Sequence, residues 1–140
     1  VTVYTDASGK GLGFWIPALT TGFFSDLPEA TDADSIFYYE ALAICCAIHH
    51  ISISQPACRR LVIFSDSHNS VDIFNSYRAS DIYNRLLQFA VDILIPSKID
   101  LRVLHVAGED NPIADALSRG SIDLVHAAFP SSSLFYYKPP

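Results

Sequence analysis

Basic residues are scarce in this chain. Nine Lys and Arg stand against fifteen Asp and Glu among 140 residues, a formal net charge of −6. That balance argues against a free-standing, general nucleic-acid binder, whose affinity rests on positive charge. Cysteine is sparse and odd in number: there are three, and the adjacent Cys45 and Cys46 are poorly placed to pair with each other. No C-x-x-C spacing occurs, so a thiolate metal site is not indicated, and the cysteines read as reduced core thiols in a cytosolic or nuclear setting. Methionine is absent, and the chain opens directly on a strand, as expected of a domain within a longer protein. No basic segment followed by an apolar one marks a secretory leader. The longest apolar run, residues 36–48, is interrupted by Glu40 and too short to span a bilayer, so no membrane partner is expected. There is no internal repeat and no heptad.

What is present suits one domain with a substantial core, since half the residues are apolar. Val1 to Asp6 alternates β-branched and aromatic residues and ends in a carboxylate. As a strand it places Val1, Val3 and Thr5 on one side and Thr2, Tyr4 and Asp6 on the other. The turn at Ser8-Gly9-Lys10 leads to a second strand over residues 11–16, ended by Pro17, and a weaker third over residues 20–27. Short connections of this kind predict an antiparallel meander. A polar loop follows from Pro28 to Asp34.

Residues 35–54 give the strongest helix signal, with Asp34 or Ser35 as cap. The segment is apolar on nearly every face, so it is expected to be buried. Glu40 is the only formally charged residue between Asp34 and Arg59. A buried carboxylate is costly unless it is paired, hydrogen-bonded or bound to metal. Glu40 therefore either meets a buried Tyr, His or backbone amide, or serves a cation. Residues 61–67 form a continuous apolar run ending at Asp66, which predicts a central strand covered on both faces. Its long helical crossover from the first strand makes the two parallel neighbours. At a strand spacing of ~4.8 Å, Asp6 and Asp66 at like ends fall within reach of a shared cation. Asp at a strand end is also a common turn former.

Helices are predicted over residues 67–77 and 82–95, the second stopped by Pro96 and burying Ile82, Leu86, Phe89 and Ile93. A strand follows over residues 99–106. Asn111 and Pro112 start a last helix, as cap and first turn, running to about Ala127 with Asp115 one turn in. A first-turn Asp is favoured by the helix dipole and needs no function. Residues 128–140 read as a Ser- and Pro-rich extended tail.

Four acids thus stand at suggestive places: Asp6 and Asp66 at strand ends, Glu40 on a buried helix and Asp115 near a helix start. In this order of elements the chain resembles the ribonuclease H domain, in the reverse-transcriptase version of gypsy-type LTR retrotransposons. The resemblance rests on Tyr4-Thr5-Asp6-Ala7-Ser8 with Gly11 and Gly13, Glu40-Ala41-Leu42-Ala43, Ser65-Asp66-Ser67, and His105-Val106-Ala107-Gly108 continuing through Asn111 and Asp115 to Leu117-Ser118-Arg119. It covers residues 1–120 and leaves the tail outside. It implies an α/β, ribonuclease H-like fold: a five-stranded mixed sheet, three strands antiparallel and two parallel, flanked by helices.

The resemblance further implies a metal-dependent endoribonuclease that cuts the RNA of RNA–DNA hybrids, in a retroelement particle in the cytoplasm or in the nucleus. Asp6, Glu40, Asp66 and Asp115 would hold two Mg²⁺ ions, for which Mn²⁺ can substitute. Asp6 would bridge both, Asp115 would share the ion on the side of the attacking water, and Glu40 and Asp66 the ion at the leaving 3′-oxygen. Hard oxygen ligands suit Mg²⁺, and four clustered carboxylates do not all ionise without cations. Ser8, Lys10, His68 and Arg119 are the expected substrate contacts, and polymerase domains of the parent reverse transcriptase the expected protein partners.

The departures from the family pattern set the alternatives. Glu109 follows Gly108 where many members carry a loop His, and His105 falls inside the predicted strand, where a structural role is favoured. His68 stands where a substrate-binding Gln is frequent. Arg78 and Arg85 are the only bases between Asp66 and Pro96, so affinity for hybrid in isolation is expected to be weak. A catalytically weak or inactive module with a structural or protein-interaction role is the alternative, and a related nuclease acting on DNA junctions a third.

Overall fold

The computed structural model describes residues 1–28 and 36–139. The capping of the long helix by Asp34 or Ser35, and most of the polar loop before it, lie outside the described residues. Alternating apolar residues build six strands: β1 (Thr2–Ala7), β2 (Gly11–Ile16), β3 (Thr21–Asp26), β4 (Arg60–Ser65), β5 (Asp100–His105) and β6 (Ser133–Tyr136). They lie in the order β5-β4-β1-β2-β3-β6. The β1-β2-β3 meander is antiparallel, and β4 runs parallel to β1 and β5 parallel to β4, as the long crossovers require.

The sixth strand corrects the expectation of five. Ser133 to Tyr136 pairs parallel with Thr21 to Phe24, so part of the tail completes the sheet. Tyr137 just beyond it packs edge-on to Phe14 and shares a 3.0 Å hydrogen bond between its hydroxyl and His49 Nδ1. At the opposite edge, the Asn75 amide nitrogen donates to the Val103 carbonyl (2.7 Å) while its oxygen accepts from the Val103 N–H (3.1 Å). That side chain satisfies backbone groups that an edge strand otherwise leaves open.

The Val3 face of the sheet carries the main core. Helix α1 (Ile36–Ser54) lies on β1 and β2, with α3 (Asp81–Ser97) against it and α2 (His68–Ser76) against β5. By length and composition α1 is apolar enough to cross a membrane, and it extends beyond the run to Ile48. Ala43, Ile44, Ala47, Ile48 and Ile51 are buried in this core, while Ile36, Phe37 and Ile53 toward the helix ends are exposed. The buried face of α3 is Leu86, Leu87, Ala90 and Leu94, rotated from the predicted stripe, and Ile82 is exposed. Pro96 lies within the last turn of α3, and Lys98 in a left-handed conformation ends it. Strand β4 is fully buried on its Leu61 and Ile63 side only. Val62 and Phe64 are half-buried, so it is not covered equally on both faces.

The Tyr4 face carries a smaller core of Trp15, Ala116, Leu117 and Val125. Here the predicted last helix is two: α4 (Pro112–Ser118) and α5 (Ile122–Ala128). Gly120 separates them with φ +70°, a left-handed conformation that glycine adopts without steric cost. Helix α4 packs on β1, β2 and β3. The approach is close because Gly13 has no side chain: a Cβ there would lie 2.7 Å from the Leu117 Cβ and the Ser118 backbone nitrogen.

Candidate metal centre

The elements deliver the acids to one end of the sheet. Asp6 stands near the carboxyl end of β1, on the Tyr4 face, and Asp66 follows the last residue of the parallel β4. Glu40 projects from the start of α1, and its Oε1 accepts from the Ala7 N–H at 3.2 Å. Carboxylate oxygens of Asp6, Glu40 and Asp66 lie within 4.8 Å of one another. Asp6 and Glu40 are buried, at 4% and 5% exposure, and Asp66 is half-buried.

The predicted fourth acid, Asp115 on α4, lies outside that 4.8 Å group. It is close enough to Asp6 and Asp66 to act on both by charge. Its Oδ1 accepts from Arg119 Nε at 3.0 Å, one helical turn on. The fourth acid is therefore near Asp6 and Asp66, apart from the three that converge, and engaged with a guanidinium.

Burial and mutual repulsion govern the protonation of this group. Asp6 is pushed up to about 7, first by loss of solvation and then by the charge of Asp66, with the Ser118 hydrogen bond opposing the rise. Glu40 is pushed up to about 9, again first by burial and then by Asp6 and Asp66, against the Ala7 hydrogen bond. Asp66 is raised by burial, with its own backbone hydrogen bond and His105 opposing. The backbone-amide partner expected for Glu40 is present at one oxygen, while Oε2 is buried without a hydrogen-bond partner. An unpartnered buried oxygen facing two further carboxylates fits a divalent cation with hard oxygen ligands.

These shifts have a consequence for stability. A carboxyl raised above its ordinary value, 3.8 for Asp6 and 4.5 for Glu40, keeps in the folded protein a proton that the unfolded chain has released. Its stabilising contribution is complete below the ordinary value and lost as pH rises through the folded one. Without divalent cation, the melting temperature is therefore expected to fall by several degrees between about pH 5 and about pH 9. With millimolar Mg²⁺ or Mn²⁺ present, the decline should flatten. Calorimetric melts across this range check it, and a cation-free melting temperature indifferent to pH would contradict it.

The expected substrate contacts separate into two kinds. Lys10, His68 and Arg119 are exposed. Ser8 is buried, and its Oγ donates to the Ser118 carbonyl at 2.9 Å and accepts from the Lys10 N–H at 3.2 Å, so it joins the end of β1 to α4. His105 is exposed at the end of β5, and its ring stacks on that of His68 with centroids 3.8 Å apart.

Three positioning residues have no sign in composition or periodicity. Ser118 places its Oγ 3.0 Å from Asp6 Oδ2 and 2.8 Å from the Asp115 carbonyl. Its place in the Leu117-Ser118-Arg119 motif was its only signal. Asn111, expected to cap α4 with its side chain, makes no such bond. Its amide nitrogen donates instead to the Thr5 carbonyl (2.9 Å), pinning α4 beside β1. Gly108 completes the set: a Cβ there would lie 3.2 Å from Asp66 Oδ2, so the loop backbone passes close to that acid.

No family model matches the sequence, and no curated protein matches it either. Solved structures do match in fold. Ribonuclease H1 from the archaeon Halobacterium salinarum is similar with a TM-score of 0.67 at 17% identity, over 88% of this chain and 97% of that one. LC11-RNase H1, solved in complex with an RNA/DNA hybrid, is similar with a TM-score of 0.71 at 18% identity, over 88% and 96%. The N-terminal ribonuclease H domain of a Mycobacterium tuberculosis protein gives 0.63 at 14% identity, over 91% and 98%. Identities this low speak for architecture, and on that evidence the chain has the mixed α/β sheet of a ribonuclease H-like fold.

Proposed function

We propose that this chain is a divalent-cation-dependent endoribonuclease that cuts the RNA strand of RNA–DNA hybrids. The observation that carries this reading is the convergence of Asp6, Glu40 and Asp66 within 4.8 Å, with Glu40 Oε2 buried and unpartnered and Asp115 alongside. The four carboxylates are the residues that would hold the cations, and Mg²⁺ is the ion their hard oxygens suit best, with Mn²⁺ as substitute. Bound there, a pair of such ions supplies charge stabilisation for an in-line displacement at phosphorus.

The chain's own part is to fix those oxygens. Ser118 orients Asp6, the Ala7 N–H orients Glu40, and Asn111 holds the helix that carries Asp115. Lys10, His68, His105 and Arg119 are exposed donors for contact with phosphate or a 2′-hydroxyl, the group that distinguishes RNA from DNA. One structural relative was solved with an RNA/DNA hybrid, which is consistent with this substrate.

The motif from His105 to Arg119 supports a narrower assignment, the ribonuclease H domain of a gypsy-type retrotransposon reverse transcriptase, in a cytoplasmic particle or the nucleus. With a net charge of −6, the chain would depend on neighbouring polymerase domains for affinity to hybrid. A second reading, a catalytically weak or inactive module, is favoured by that same charge and by the engagement of Asp115 with Arg119.

Cleavage of an end-labelled hybrid, compared with duplex DNA and a DNA junction, with and without Mg²⁺, separates these readings. Cation-dependent cutting of the RNA strand alone is expected. No cutting at any cation concentration would leave the inactive module, and cutting of the junction would indicate the DNA nuclease.

A further inference from the structure

Arg119 is the resident cation of the acidic end of the sheet. Among the described residues its bond to Asp115 is the one ion pair between side chains, and both partners are about half-exposed, at 55% and 44%. Asp115, by hydrogen bond and charge, holds the guanidinium charged, with a smaller contribution from Asp6. Around it the cluster has carboxylates from β1, β4 and α1 but no other ion-paired Arg or Lys among the described residues.

A surface pair one turn apart is ordinarily a small helix-stabilising contact. This one differs in what it occupies. The Asp115 oxygen that accepts from Arg119 Nε belongs to the acid that the metal reading makes the fourth ligand, beside the three that already converge. Arginine keeps its charge at every accessible pH, so its side of the competition does not titrate away.

We propose that Arg119 competes with divalent cations for Asp115, and so sets the cation concentration at which the fourth carboxylate joins Asp6, Glu40 and Asp66. This rests on the metal reading above and adds a residue that governs loading. Arg119 is a positioning residue here, acting through Asp115. Two consequences follow from charge alone. Removing the guanidinium takes one positive charge from beside the cluster and frees one carboxylate. Replacing it by lysine keeps the charge but loses the planar Nε donor.

The test is calorimetric titration of Mn²⁺ into the cation-free parent chain, Arg119→Gln and Arg119→Lys, each repeated with Asp115→Asn. Arg119→Gln should bind the ion about fivefold more tightly, the scale for removal of a half-exposed unit charge. Arg119→Lys should lie between it and the parent. In the Asp115→Asn background the gain from Arg119→Gln should shrink. Parental or weaker affinity in Arg119→Gln, with only a lower melting temperature, would overturn the proposal and leave Arg119 as a helix contact. A parent chain that binds no Mn²⁺ would overturn it together with the metal reading. Heat of binding is read without substrate, so failure to cleave hybrid and failure of this proposal are separate results.

Discussion

Asp66→Asn is expected to lower Mg²⁺-dependent cleavage of hybrid by at least about a thousandfold, the scale of several kcal/mol of lost transition-state stabilisation. The substitution keeps the shape of the side chain and removes the charge. Asp66 is half-buried, and its carboxylate is one of three within 4.8 Å. It is also among the groups that push Asp6 and Glu40 upward. The cation-free variant should therefore melt no lower than the parent, since a source of repulsion has gone. Loss of activity with retained or raised melting temperature is the signature of a ligand. Activity within tenfold of the parent would remove Asp66 from the site and the nuclease assignment with it.

Gly13→Ala is expected to destabilise the chain by about 1–3 kcal/mol in urea unfolding, the usual cost of forcing a methyl group into a packed contact. Its Cβ would meet backbone: the Ser118 nitrogen at 2.7 Å and the Ala114 carbonyl at 2.8 Å, with the Leu117 Cβ also at 2.7 Å. Helix α4 must move, and it carries both Asp115 and Ser118. Cleavage should then fall further than stability explains, by up to about a hundredfold, because small displacements of reacting groups are costly. Gly9→Ala is the control, since nothing lies within 4 Å of a Cβ there. Equal effects of the two substitutions would mean that the packing of α4 on β2 does not position the site.

The features legible in the sequence are those that depend on local pattern. Alternation ending in Asp6 and an apolar run ending in Asp66 were enough to predict parallel neighbours with two acids at one end, while the joining of Glu40 came from the resemblance. What escaped depends on partners far away in the chain. Ser133 to Tyr136 is short and flanked by Ser and Pro, and only its pairing with Thr21 to Phe24 makes it a strand. The apolar residues Leu117, Ile122 and Val125 suggest one helix, but the left-handed Gly120 divides it. Asn111 has the composition of a cap, yet the Thr5 carbonyl claims its amide. Ser118 acts through a hydroxyl that no periodicity reveals. The spacing of Asp115 and Arg119 was visible throughout, but its meaning depends on where Asp6 lies.

Asn75 has a consequence for how copies of this chain meet. By bonding both backbone groups of Val103 beneath α2, it takes a central pairing point of one rim away from any recruited strand. The other rim ends in β6. Growth into a fibre requires two adhesive rims on every subunit, so strand pairing at β6 alone would not propagate one.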